Sequence, residues 1–83
     1  MEKTYTILDK NGLHARPATL LVTACSKVAQ DVTMIAKGKE VNAKSIMGVM
    51  GLAVAYNESF TIKSEDESVF EKIEEILTAN NMI

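Results

Sequence analysis

Asp9-Lys10-Asn11-Gly12-Leu13-His14-Ala15-Arg16-Pro17-Ala18-Thr19 is the stretch on which the fold turns. Asp9 to Gly12 is turn material, because Asp, Asn and Gly tolerate the tight and left-handed backbone that ends a strand. Upstream, residues 4–8 alternate, with Tyr5 and Ile7 on one face, which predicts a strand. Downstream the spacing changes: Ala18, Leu21, Val22, Cys25 and Ala29 recur at helical intervals. Pro17 suits a first helical turn, where a missing N–H costs nothing. The expected helix runs from Arg16 to Lys27.

Beyond it, Val32 to Ala36 reads as a strand, and Lys37-Gly38-Lys39 as a tight turn into a second strand at Glu40 to Asn42. Ser45 opens the run Ile46-Met47-Gly48-Val49-Met50-Gly51-Leu52, too interrupted by glycine for a long helix. Ser59 to Lys63 alternates around Phe60 and Ile62 and predicts the last strand. Ser64-Glu65-Asp66-Glu67 has the form of a capping box. Val69, Phe70, Ile73, Ile76 and Leu77 then give one apolar stripe for a final helix. The order β-α-β-β-α-β-α implies an α+β fold, an antiparallel sheet with helices on one face.

At 83 residues the chain suits one small domain, 1–83, without a second core. It is too short to enclose a deep multi-substrate site with cofactor machinery. Hydrophobic residues at 47% and charged residues at 24% are ordinary globular values and exclude disorder. No stretch approaches the ~20 apolar residues of a membrane span, so no membrane insertion is expected. The Met1-Glu2-Lys3-Thr4-Tyr5 start lacks the layout of a secretory signal. A single cysteine forms no internal disulfide, so the expected location is cytoplasmic. The net charge of -2 divides unevenly: residues 1–63 carry eight bases against five acids, and residues 64–83 carry six acids against Lys72 alone. A basic working side with an acidic end suits acidic partners, although the acids also read simply as the solvated face of the last helix.

His14 is the only histidine. A lone histidine is ordinarily structural, but this one precedes a helix start and stands two residues from Arg16. Free N–H groups and the positive end of the helix dipole form an anion site there, which assigns Ala15 and Pro17 to its phosphate-supporting helix start. The Arg16 guanidinium adds donors matched to phosphate oxygens, and a neutral imidazole is nucleophilic. The combination is what a reversible phosphoryl acceptor needs. No nucleotide-binding loop of the G-x-x-x-x-G-K-[ST] form is present, and no acidic pair lies near His14 in sequence to hold magnesium. No cofactor and no metal are therefore expected, and the phosphoryl group must come from one protein and leave to another.

Asn11-Gly12-Leu13-His14-Ala15-Arg16-Pro17-Ala18-Thr19 and Val41-Asn42-Ala43-Lys44-Ser45-Ile46-Met47-Gly48-Val49-Met50 resemble two motifs of the histidine-containing phosphocarrier (HPr) family of the bacterial sugar phosphotransferase system. The element order agrees over nearly the whole chain. The resemblance implies an open-faced β-sandwich, a four-stranded antiparallel sheet covered by three helices. It implies that His14 accepts a phosphoryl group on Nδ1 from phospho-enzyme I, with Arg16 holding the group, and passes it to IIA domains of sugar permeases. Such a chain is a covalently modified carrier, not a turnover enzyme, and is expected to be a monomer.

Ser45 supports two readings: a plain N-cap, and, from the resemblance, the serine that an ATP-dependent HPr kinase/phosphorylase modifies in Gram-positive members. The second adds that kinase and a catabolite-control transcription regulator to the partners. Its extreme form is the alternative function, a regulatory or interaction module acting mainly through Ser45. Arg16, Leu20 and Lys27 lie opposite the apolar stripe of the first helix, and Met47 and Met50 are adaptable side chains suited to several partners. With Ile46, these are the candidate partner contacts; core filling is the other reading of the methionines. Cys25 reads as a buried thiol. Four aromatic residues and no strong basic run argue against nucleic acid. Two departures from the family stand out: the connection Ile62 to Glu67 is short and lacks a glycine, and Gly51 and Ala53 make the segment after the short helix unusual.

Overall fold

The computed structural model describes all residues from Met1 to Ile83. Strand β1 (Glu2–Thr6) is followed by helix α1 (Ala15–Cys25), the hairpin β2 (Val32–Ala36) and β3 (Lys39–Asn42), helix α2 (Ile46–Gly51), β4 (Ser59–Ser64) and α3 (Ser68–Ala79). The strands form one antiparallel sheet in the order β1-β4-β2-β3. The expected element order and open-faced α+β architecture are therefore present.

Alternation explains which face is covered. Val32, Met34 and Ala36 of β2 and Phe60, Ile62 and Ser64 of β4 are buried. Opposite them pack Ala18, Leu21, Ala24 and Cys25 of α1, Val49 of α2, and Val69, Phe70, Ile73 and Leu77 of α3, in one core of 21 buried residues. The other face is hydroxyl-rich: Thr4 pairs with Thr61 and Thr6 with Ser59, their side-chain oxygens 2.8 and 3.0 Å apart. β1 is pinned to α3 by Glu74, whose carboxylate accepts from Lys3 Nζ at 3.0 Å and Tyr5 Oη at 2.8 Å. The Lys3 ammonium also lies over the Phe70 ring, and Tyr5 packs against Phe60.

Four local expectations differ. Strand β1 begins at Glu2 and ends at Thr6, not at Leu8; Ile7 still exchanges backbone bonds with Asn57 and Glu58, but Asn57 has φ 69 and the ladder stops there. Helix α1 ends at Cys25, before Lys27, because Lys27 and Val28 bond back three residues in a tightened turn. Val28 then enters the core, and Lys44 Nζ donates to its carbonyl at 2.7 Å. Ala29 is consequently exposed and no part of the helical stripe. The capping box is absent: Ser64 is the buried last residue of β4, its hydroxyl donating to the Asp31 carbonyl and accepting from Asp66 N. Asp66 caps α3 instead, its carboxylate accepting from both the N–H and the hydroxyl of Ser68 at 2.9 and 2.6 Å.

Candidate functional site

The loop before α1 is fixed mainly by its backbone. Asp9 turns the chain, its side chain accepting from Asn11 N at 2.7 Å and its carbonyl from Gly12 N at 2.9 Å. Gly12 has φ 71, and a Cβ there would stand 2.8 Å from the Val54 carbonyl oxygen and 3.0 Å from Ala55 Cα. Glycine is required on both counts. Leu13 buries its side chain and donates its N–H to the same Val54 carbonyl at 2.8 Å. The segment after α2 is thus the floor of the His14 loop.

His14 is the N-cap residue of α1, in extended backbone (φ -81, ψ -171), and its side chain caps nothing. The first bond of the helix runs from Ala18 N to the His14 carbonyl. The N–H groups of Ala15 and Arg16 therefore have no acceptor within the chain, while Pro17, buried at the third helical position, has no N–H to offer. The imidazole is 44% exposed, and its Nε2 lies 3.9 Å from Asp9 Oδ2. At that distance the carboxylate acts through charge, without a hydrogen bond. Arg16 is exposed and makes no ion pair.

His14, Arg16, Pro17 and Leu20 share a hollow of about 290 Å³ with Asp9 and with the end of α3, Ala79 to Met82. That end is closed by a Schellman turn: Asn81 has φ 58, Asn81 N donates to the Thr78 carbonyl and Met82 N to the Leu77 carbonyl. Met82 is buried, and its carbonyl accepts from Leu8 N at 2.7 Å, which ties the end of α3 to the start of the His14 loop. Sequence reasoning missed Asp9 and residues 79–82 as neighbours of His14. The pair Asn80-Asn81 at the end of the last stripe was the available signal for a left-handed cap.

Ser45 is the N-cap of α2, its hydroxyl oxygen accepting from Gly48 N at 3.2 Å. Around it Ile46, Met47 and Met50 are exposed, Met47 by 83%. Core filling is therefore not the role of either methionine. Only Val49 of α2 is buried, and α2 packs on α1. Leu20 is half-buried at the hollow. Lys27 is not brought there: it lies past the far end of α1, in a groove with Lys72, Glu75 and Ile76. Cys25 is buried, and burial pushes its thiol up to about 12. No three His, Cys, Asp or Glu side chains are grouped to hold a metal ion, and no helix is long and apolar enough to cross a membrane.

A histidine at an uncapped helix start, with free amides, a free guanidinium and a preset backbone, is arranged to receive a small oxyanion. Residues 1–79 match the protein family described as the phosphotransferase-system HPr component phosphorylation site. The chain belongs to the HPr family. It is similar to the histidine-containing phosphocarrier protein of Mycoplasma, with 34% identity and a TM-score of 0.93 over 100% of this chain and 98% of that one. It is similar to phosphocarrier protein HPr of Bacillus anthracis strain Ames, with 37% identity and a TM-score of 0.80 over 100% and 96% of the two chains. A third likeness is to Crh, a catabolite-repression protein of Bacillus subtilis described as a domain-swapped dimer: 36% identity, a TM-score of 0.65, and 95% and 93% coverage. As an HPr-family member, the chain is a phosphocarrier of the phosphotransferase system.

Proposed function

We propose that this chain takes a phosphoryl group on His14 from phospho-enzyme I and delivers it to IIA domains of sugar permeases. The observation that carries the reading is the half-exposed His14 imidazole at the uncapped start of α1, beside the free Arg16 guanidinium. The Nδ1 lone pair attacks phosphorus in line with the bond that joins it to the donor. A new N–P bond forms as the bond to the donor breaks and its electron pair leaves with the donor's group. The Ala15 and Arg16 N–H groups and the Arg16 guanidinium bind the phosphoryl oxygens, whose charge is already matched by the positive end of α1. Transfer to the acceptor reverses these steps: a nucleophile of the second partner forms the new bond to phosphorus as the His14 N–P bond breaks and its electron pair returns to the imidazole.

Partners dock on the apolar side chains around the site: Leu20, Ile46, Met47 and Met50, with Lys27 as a more distant charged contact. Exposed, flexible methionines suit one surface that meets several proteins. A monomer in the cytoplasm fits this role, since one small face must be free for each partner in turn. Ser45 adds regulation by an HPr kinase/phosphorylase. Phosphate there sits at a helix start that tolerates it, and adds a charge of about -1.5 to -2 amid the apolar contacts. A purely regulatory module acting through Ser45 is the other reading, favoured by the likeness to Crh; the His14–Arg16 pair favours the carrier. Phosphorus-31 NMR after incubation with enzyme I and phosphoenolpyruvate tests the choice, a phosphoimidazole resonance supporting the carrier and its absence the regulator.

A further inference from the structure

Lys37 and Ala53 both adopt left-handed backbone, φ 54 and 49, and they are bonded to each other. Lys37 and Gly38 are the two central residues of the β2–β3 turn, both at positive φ, where Asn-Gly is the least costly pair. Ala53 follows α2 at a backbone angle that disfavours alanine about tenfold. The Lys37 ammonium donates to the Ala53 carbonyl at 2.7 Å and stands 3.1 Å from Glu58 Oε1. The same Oε1 accepts from Ala55 N at 2.7 Å. One side chain thus holds the segment 53–58 at both ends.

That segment is the floor of the His14 loop. Val54 takes the Leu13 N–H on its carbonyl, and the Val54 oxygen and Ala55 Cα occupy the space beside Gly12. Relaxation of Ala53 towards the right-handed region would swing the Val54 carbonyl, one residue on, away from Leu13 N. We propose that Lys37 is a positioning residue for phosphoryl transfer, holding Ala53 in its strained conformation so that Val54 fixes the Gly12–His14 loop. The clamp rests on the His14 reading for its purpose, but not for its geometry.

The test compares the full chain with Lys37→Met, Ala53→Gly and the double variant. Glycine adopts the angle at position 53 without strain, so it removes the need for the clamp. Lys37→Met is expected to speed exchange of the Leu13 amide about tenfold. It should also lower kcat for acceptance from phospho-enzyme I about tenfold, with KM within about twofold of wild type. Adding Ala53→Gly should return both towards wild type. Unchanged Leu13 exchange in Lys37→Met overturns the proposal, as does failure of Ala53→Gly to rescue it. A raised KM with unchanged kcat also overturns it, since Lys37 would then be a docking contact. Should the wild-type protein accept no phosphoryl group, the His14 reading fails, while Leu13 exchange and its rescue still decide the clamp.

Discussion

Gly12 and Val54 are in closer approach than any other side chain at position 12 allows: a Cβ would stand 2.8 Å from the Val54 carbonyl oxygen, in backbone at φ 71. The same oxygen accepts the Leu13 N–H, so the contact sets both where the loop rests and where His14 emerges. Gly12→Ala is expected to cost about 2–3 kcal/mol, combining left-handed strain with displacement of the 54–55 segment. Urea unfolding measures the loss, and a shift below about 0.5 kcal/mol, ordinary for a harmless surface change, would show that the approach is not enforced.

Ser45 separates capping from charge. Ser45→Ala removes the acceptor of the Gly48 N–H and should lower stability by about 1 kcal/mol. Ser45→Asp keeps an acceptor and adds negative charge at the helix start, so its stability should stay near wild type while affinity for enzyme I falls. Thermal unfolding and calorimetric titration read the two effects. Equal affinity for Ser45→Asp and wild type would remove the regulatory argument.

The docking surface is checked by charge placed on apolar contacts. Met47→Glu and Leu20→Glu should each weaken enzyme I binding by about tenfold or more, roughly 1.4 kcal/mol or above. The exposed Met47 allows its variant to retain wild-type unfolding behaviour. Unchanged affinity for both variants would move the docking surface elsewhere.

Which features were legible in the sequence follows from how local their causes are. Gly12 and Pro17 restrict their own backbone, so the strand-turn-helix junction and the place of His14 and Arg16 could be read directly. The Ser45 cap was equally local. The Ser64–Glu67 motif misled because β4 extends one residue further: Ser64 is held by the Asp31 carbonyl, 33 positions away, which leaves Asp66 to cap α3. Ala29 misled because a short-range pattern cannot show where Val28 dives into the core and Lys44 closes the end of α1. Lys3 on the covered side of β1 broke the alternation for the same reason, since its partners Glu74 and Phe70 lie on α3. Asp9 and the α3 terminus join the site only through tertiary contacts, and no spacing along the chain announces that.

Several ionised groups make stability depend on pH from both sides. Bonds from Ala55 N and Lys37 hold Glu58 below its ordinary 4.5, Ser68 holds Asp66 below 3.8, and Lys3 and Tyr5 hold Glu74 below 4.5. The unfolded chain binds these protons more readily. Their contribution is complete above the ordinary carboxylate values and is lost as pH falls through the lowered native ones. Cys25, raised by burial from 9.0 to about 12, and Tyr5, raised by burial and by the Glu74 carboxylate, act oppositely. The Cys25 contribution is complete below 9 and is lost as pH rises towards 12. Urea midpoints should therefore be flat near pH 7 and fall on either side, with Glu74→Gln flattening the acid limb. A midpoint that rises below pH 4.5 would contradict the assigned partners of the carboxylates.

Phosphorylation of His14 itself is the decisive measurement. The protein and its His14→Ala variant are incubated with enzyme I and labelled phosphoenolpyruvate, and the label is followed through acid and alkali. Label is expected on the wild-type chain, lost in acid, stable in alkali and located at His14, with none on a His14→Ala variant that remains folded. Label retained by that variant, acid-stable label, or no label on the wild-type chain would contradict the carrier role of His14.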